Sequence, residues 1–71
     1  MSKVDEIYIL CNEKKYFTCG SNEQYDRMFD MVRNGAPAND IALVIFICSD
    51  SQREDVDFQT IKKEVEEIMN N

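Results

Sequence analysis

The feature that most constrains this chain is the segment IALVIFIC, residues 41–48, in which every side chain is apolar. As a strand it would need cover on both faces, because successive side chains point to opposite sides of a sheet. Periodicity alone does not separate a buried strand from a buried helix here. The short length and the Ile and Val residues favour a strand. The segment is therefore predicted to be the central strand of a small sheet.

Two shorter apolar runs near the N-terminus predict a hairpin beside this strand. Residues 6–12, EIYILCN, and residues 15–20, KYFTCG, are rich in β-branched and aromatic residues and are separated by two polar residues. Neither of the two is glycine, so a tight turn with positive φ at both positions is not expected. The two strands of this hairpin can pair in two registers. In neither register do we expect a disulfide between Cys11 and Cys19.

A first helix is predicted over residues 22–34. Ser21, followed three residues later by Gln24, matches a capping box, and Gly35 fits the left-handed position that ends many helices. The apolar residues repeat at the spacing of one helical face. They are Tyr25, Met28, Phe29 and Val32. The following segment APAND, residues 36–40, is predicted to be a short loop.

A second helix is predicted from about residue 57 to residue 69. Its cap is either Ser51 with Glu54 or the pair Asp55 and Asp57. Its core-facing residues are Phe58, Ile61, Val65 and Ile68, and the opposite side carries Lys62, Lys63, Glu66 and Glu67. The element order is thus β-β-α-β-α. This order predicts a single small α/β (α+β) domain over residues 1–71, with a three-stranded sheet, an N-terminal hairpin and two helices.

The size of the chain raises the question of what covers that sheet. A 71-residue domain buries only about 60% of the surface that its unfolded chain exposes. If both helices pack on one face, the other face is an apolar patch that implies association. A homodimer is therefore expected, and the alternative is a monomer with one helix on each face.

The charge balance narrows the class of partner. Fourteen Asp and Glu against eight Lys and Arg give a net charge of −6. Nucleic-acid binding is not expected, because its affinity comes from clustered Lys and Arg that release counterions. A basic protein partner fits better, while the simpler interpretation is that the charge only keeps a small protein in solution.

The cysteines and the N-terminus indicate a reducing cytoplasm. Three cysteines, an odd number, predict unpaired thiols, and the start MSKVDEIYIL lacks the pattern of a secretory signal. The apolar run is far shorter than the roughly 20 residues that span a bilayer as a helix, so no membrane segment is expected. Cys11, Cys19 and Cys48 lack the spacing of a zinc or redox motif and are predicted to be buried core residues.

Most catalytic classes are disfavoured. Histidine is absent, which removes the most common general base near neutral pH and all histidine-ligated zinc sites. Gly20 and Gly35 are the only glycines, so no glycine-rich phosphate loop is present. The acidic stretch after residue 49 lacks the central glycine of a calcium loop. The chain is therefore predicted to be no enzyme and to use no metal and no cofactor.

The leading hypothesis is an acidic protein-protein interaction module. It is a homodimer that binds a basic partner, such as a nucleic-acid-binding or defence enzyme, with inhibition of that partner as one role of the binding. Small acidic inhibitors of this kind occur in bacteriophages, an analogy of size and charge alone. The predicted contact residues are four acids that supply charge and two tyrosines expected to be exposed. They are Asp50, Glu54, Asp55, Asp57, Tyr8 and Tyr16.

The alternative hypothesis is a protein that binds or sequesters a small ligand or a nucleotide in a pocket between two protomers. Five cations are candidates for contacts with an anion, although they are scattered along the chain. They are Lys3, Lys14, Lys15, Arg27 and Arg33.

Overall fold

The computed structural model of the protein describes residues 2–18, 21–50 and 52–71. These ranges contain four helices and no strand. The helices are α1 (Lys3–Glu13), α2 (Asn22–Arg33), α3 (Ala38–Cys48) and α4 (Phe58–Met69). Each helix packs against its two neighbours in a ring that runs α1, α2, α3, α4, and the contact between α3 and α4 is the most extensive. The predicted α/β domain with a three-stranded sheet is therefore wrong.

Helix α1 replaces the predicted hairpin, because the N-terminal sequence has a helical cap and helical spacing. The Ser2 hydroxyl accepts a hydrogen bond from the Asp5 backbone N–H at 3.1 Å and caps the first turn. Ile7 and Cys11, four residues apart, are then buried on one face. The polar residues that separate the two apolar runs end α1 rather than forming a hairpin turn.

Helix α3 contains the whole apolar run, so the prediction of a central strand is wrong. Ile41, Ile45 and Cys48 recur at spacings of four and three and are buried, with Ala42 beside them. The β-branched residues oppose the helix only weakly, since the propensities of ordinary residues lie within about 0.7 kcal/mol of alanine. Burial of one face against α2 and α4 outweighs that preference.

The predicted loop over residues 36–40 is also partly wrong, because α3 begins within it. Pro37 occupies the N-cap position with a φ of −57°, a value that the proline ring imposes. Its carbonyl accepts the backbone N–H groups of Asp40 and Ile41 at 3.0 and 3.2 Å. The first turn therefore forms directly after the proline, with Asp40 favourably placed at the positive end of the helix dipole.

Both predicted helices are confirmed as α2 and α4. The capping box of α2 is complete: Ser21 Oγ accepts from the Gln24 N–H at 3.3 Å, and Gln24 Oε1 accepts from the Ser21 N–H at 2.8 Å. Asp57 caps α4, and its carboxylate accepts from the Thr60 N–H at 3.0 Å. The other candidate cap, Ser51, lies outside the described residues. The buried residues of these helices are Met28, Val32, Ile61 and Val65.

Helices α1 and α2 end in the same backbone arrangement, a Schellman motif. After α1, the Tyr16 N–H donates to the Cys11 carbonyl at 2.9 Å, across Lys15 with a φ of +57°. After α2, Gly35 occupies the corresponding position with a φ of +72°, which confirms its predicted left-handed conformation. The motif directs the chain back toward the core at both places.

The core lies inside the ring of helices and receives buried side chains from each of them. Its buried members are Ile7, Cys11, Tyr16, Met28, Val32, Ile41, Ala42, Ile45, Ile61 and Val65. Every helix within the described ranges is too short or too polar to cross a membrane.

Candidate functional site

Two of the predicted acids fix the connection between α3 and α4 at its two ends. The Asp50 N–H donates to Thr18 Oγ1 at 2.9 Å, and Asp50 Oδ1 accepts from the Gln52 N–H at 2.9 Å. Asp57 caps α4 through the backbone N–H and the hydroxyl of Thr60. Both carboxylates therefore have structural roles in addition to the charge that they present.

Arg53 ties the middle of this connection to the end of α1. Its Nη1 and Nη2 atoms donate to the carbonyls of Lys15 and Lys14 at 2.6 and 3.1 Å. The same guanidinium donates to both carboxylate oxygens of Asp55, from Nε at 2.9 Å and from Nη2 at 2.6 Å. These hydrogen bonds hold the pKa of Asp55 below its ordinary value and raise the pKa of Arg53. Arg53 thus offsets part of the negative charge of Asp55.

Glu54 is the predicted acid with the fewest structural constraints. It is exposed, and within the described part of the chain it forms neither a hydrogen bond nor an ion pair. Glu67 is exposed on α4, further along the same segment of sequence. Residues 50–71 carry seven acids and three bases, a net charge of −4. We call residue 50 together with residues 52–57 the acidic connection, and Glu54 is its most available carboxylate.

The two predicted aromatic contact residues lie in different environments. Tyr16 is only 3% exposed, so the prediction that it is an exposed aromatic residue is wrong. Its hydroxyl donates to Glu64 Oε1 at 2.9 Å, and burial together with this hydrogen bond raises the pKa of Tyr16. Tyr8 is 51% exposed, and its ring centroid lies 6.0 Å from that of Phe29. Tyr8 is therefore accessible to a partner, while Tyr16 joins the α1–α2 connection to α4.

Helix α3 exposes apolar residues that the strand interpretation did not single out. Leu43 is 46% and Ile47 is 59% exposed, and we call this pair the α3 ridge. The two residues are four apart and lie on one side of the helix, about 6 Å apart along its axis. Ile47 and Val44 line a small pocket of about 160 Å³ together with Gln24 and Arg27 of α2.

The two cysteines that the structure describes are both buried. Cys11 and Cys48 are buried thiols, as predicted for core residues, although they lie in helices rather than strands. Burial, with a contribution from Cys48, raises the pKa of Cys11 to about 12, so its thiolate is scarce near neutral pH. Cys19 lies outside the described residues. The described ranges contain no group of three or more Cys, Asp or Glu side chains placed to hold a metal ion.

The cations considered for an anion site contact different elements. Lys3 on α1 donates to the Met69 carbonyl at the end of α4. Arg33 pairs with Asp30 on α2 at 2.7 Å. Arg27 lies at the pocket beside the α3 ridge. No described contact joins these cations into one anion site.

No protein-family model, curated protein or solved structure matches this chain. Its function is therefore inferred from its own residues.

Proposed function

We propose that this chain is a non-enzymatic protein-interaction module that acts in the cytoplasm and binds a basic protein. A nucleic-acid-binding or defence enzyme, inhibited by the contact, is the kind of partner that fits. The observation that carries the proposal is the acidic connection, residues 50 and 52–57, which combines exposed carboxylates with backbone groups held by hydrogen bonds.

Fixing the backbone favours binding because little conformational entropy remains to be lost. The turn at Asp50, the contact of Arg53 with the end of α1 and the cap at Asp57 each restrain one part of the connection. A preorganised loop loses less freedom on association than a mobile one. Glu54 lies within this restrained backbone with its carboxylate exposed.

Charge supplies the attraction to a basic partner. The net charge of −4 in residues 50–71 steers a Lys- or Arg-rich surface toward this part of the molecule. Tyr8 is a second candidate contact, since an exposed aromatic face attracts Arg and Lys through cation–π interactions. Such binding weakens as ionic strength rises, because salt screens exposed charges.

Glu54→Lys tests the proposal without removing a cap or the contacts of Arg53. The tagged variant and the tagged wild type are used to capture proteins from lysate of the source cells at low and high salt. We expect the wild type to retain basic proteins at low salt and the variant to bind them about tenfold more weakly or worse. Asp26→Lys is the matched control, because it makes the same charge change at an exposed position on α2.

Two results would contradict the proposal. One is capture that is equally weakened by Glu54→Lys and Asp26→Lys, which would indicate a response to net charge alone. The other is a captured partner that is not basic and whose binding does not depend on salt. In either case the acidic connection would have only a structural role.

The second candidate function is binding of a small ligand or a nucleotide. The pocket beside the α3 ridge favours it, because Arg27 adjoins the apolar side chains of Val44 and Ile47. At about 160 Å³ this pocket is smaller than the roughly 300 Å³ or more typical of ligand sites. A second protomer would have to enlarge it. A thermal-shift screen with nucleotides distinguishes this function, because a ligand that binds the native state raises its Tm.

A further inference from the structure

We propose that the α3 ridge, Leu43 and Ile47, is the surface through which two copies of this chain associate, with their α3 helices antiparallel. This proposal does not depend on the binding of a basic partner, because it uses residues of α3 and not those of the acidic connection. It specifies which residues form the contact and how the two copies are oriented.

The distribution of charge along α3 favours this face for contact between identical chains. Each copy has a net charge of −6, so two copies repel one another wherever their acids meet. Residues 41–48 contain no charged side chain. A contact made by this segment therefore brings none of its own acids against the other copy, and it removes Leu43 and Ile47 from water.

The ridge is self-complementary about a two-fold axis. In a two-fold contact, if one residue touches a second on the partner, the second touches the first in return. An axis through the middle of the ridge places Leu43 against the partner's Ile47 and Ile47 against the partner's Leu43. Both side chains are then covered by the same kind of apolar group, and rows of residues four apart interdigitate, as in the most common class of helix packing.

The charged residues at the edges of the ridge match in the same arrangement. Asp40 is exposed in the first turn of α3, and Arg27 adjoins the end of the ridge at Ile47. In the described part of the chain, neither charge has an ion-pair partner. The antiparallel arrangement brings the partner's Asp40 toward Arg27, and the reverse pair forms on the other side of the axis. A parallel arrangement would place the two copies of Asp40 together.

The size of the contact sets the expected affinity. Stable complexes bury about 800 Å² on each partner, and a single exposed ridge with its edges provides less. We therefore expect a dissociation constant on the order of 10 to 100 μM.

The test is the solution mass of the full chain in reducing buffer. Sedimentation velocity over about 5 to 500 μM should show the wild type passing from monomer to dimer. Ile47→Glu should weaken the dimer roughly 100-fold, because it replaces the apolar centre of the contact with a carboxylate from each copy. Ile9→Glu is the matched control, since Ile9 is an exposed apolar residue of α1 and the substitution adds the same charge. The control should dimerise almost as well as the wild type.

A charge exchange tests the orientation of the helices. Arg27→Asp should weaken the dimer about tenfold, and the double variant Arg27→Asp with Asp40→Arg should restore it. Thermal unfolding at the lowest concentration checks that the monomers of all variants remain folded.

Three results would overturn the proposal. The first is a wild type that stays monomeric over the whole concentration range. The second is a dimer that Ile47→Glu and Ile9→Glu weaken equally. The third is a dimer that only Ile9→Glu abolishes, which would place the contact on α1. If folded Ile47→Glu no longer dimerises but still captures the basic partner, the proposed binding function stands independently. If Glu54→Lys no longer captures the basic partner but dimerises like the wild type, the two functions use separate residues.

Discussion

Among single residues, Tyr16 has a structural role and not the predicted role of an exposed contact residue. Its ring is part of the core, and its hydroxyl reaches Glu64 on α4, 48 positions away in the sequence. This hydrogen bond connects the end of the first helix to the last helix. Tyr16 therefore contributes to stability by packing and by one hydrogen bond to a carboxylate.

Tyr16→Phe should lower the free energy of unfolding by about 1 kcal/mol, because it removes the hydrogen bond and keeps the ring. Chemical denaturation measures the change, and Tm should fall by about 4 to 8 °C. Tyr8→Phe is the control, since Tyr8 is exposed and none of the described contacts involves its hydroxyl. Equal effects of the two substitutions would contradict the role given to Tyr16.

At the scale of elements, two helices end in the same motif with different residues at its left-handed position. Gly35 adopts this conformation without strain, whereas Lys15 adopts it at a cost, because its Cβ crowds the backbone. The sequence signals the end of α2 through Gly35. It gives no such signal at Lys15, so the two apolar runs on either side of residues 13 and 14 predict a hairpin turn at the end of α1.

The two positions predict stability changes of opposite sign. Gly35→Ala should lower the free energy of unfolding by about 1 kcal/mol through backbone strain alone. In the described part of the chain, apart from the two neighbouring residues, no atom lies within 4 Å of an added Cβ. Lys15→Gly should raise the free energy of unfolding by about 0.5 kcal/mol, as relief of strain exceeds the added entropy of the unfolded chain.

Urea denaturation of the wild type, Gly35→Ala and Lys15→Gly measures both changes in the free energy of unfolding. Lys14→Gly is the matched control, because Lys14 precedes Lys15 and has an ordinary φ of −89°. It should not stabilise the protein. A stabilising effect of Lys14→Gly equal to that of Lys15→Gly would show that the left-handed conformation is not the cause.

For the molecule as a whole, burial of Cys11 and Tyr16 makes the free energy of unfolding fall as the pH becomes alkaline. The pKa of Cys11 rises from 9.0 to about 12 on folding, because burial disfavours the thiolate. The pKa of Tyr16 rises from its ordinary value of 10.0, again chiefly through burial. A group whose pKa is raised in the native state stabilises it fully below the unfolded pKa and loses that effect as pH rises toward the folded value.

Up to about pH 8, these two groups should therefore leave the free energy of unfolding unchanged. Above about pH 9 it should fall, by up to about 1.4 kcal/mol per pH unit for each group that titrates in the unfolded chain. Urea midpoints measured from pH 7 to 11 check this. Cys11→Ala should be less stable at neutral pH but show a smaller decline between pH 9 and 10, and Tyr16→Phe should show a smaller decline above pH 10. An unchanged decline in both variants would exclude these residues as its source.

The sequence determined the local features of this protein that depend on short spacings. The capping box at Ser21, the cap at Asp57 and the left-handed Gly35 follow from side chains that hydrogen-bond or bend the backbone within a few residues. The confirmed amphipathic patterns belong to α2 and α4. The overall charge of −6 was likewise determined by composition alone.

Tertiary structure decided what the apolar segments became. In a strand, Leu43, Ile45 and Ile47 would share one face, whereas in α3 Ile45 is buried and the other two are exposed. A segment that is apolar at every position gives no period from which to choose between these outcomes. The choice depends on the cover that α2 and α4 provide, and the same packing buries Tyr16 and leaves the α3 ridge open. These consequences arise from contacts between residues distant in the sequence, which spacing along a single chain does not encode.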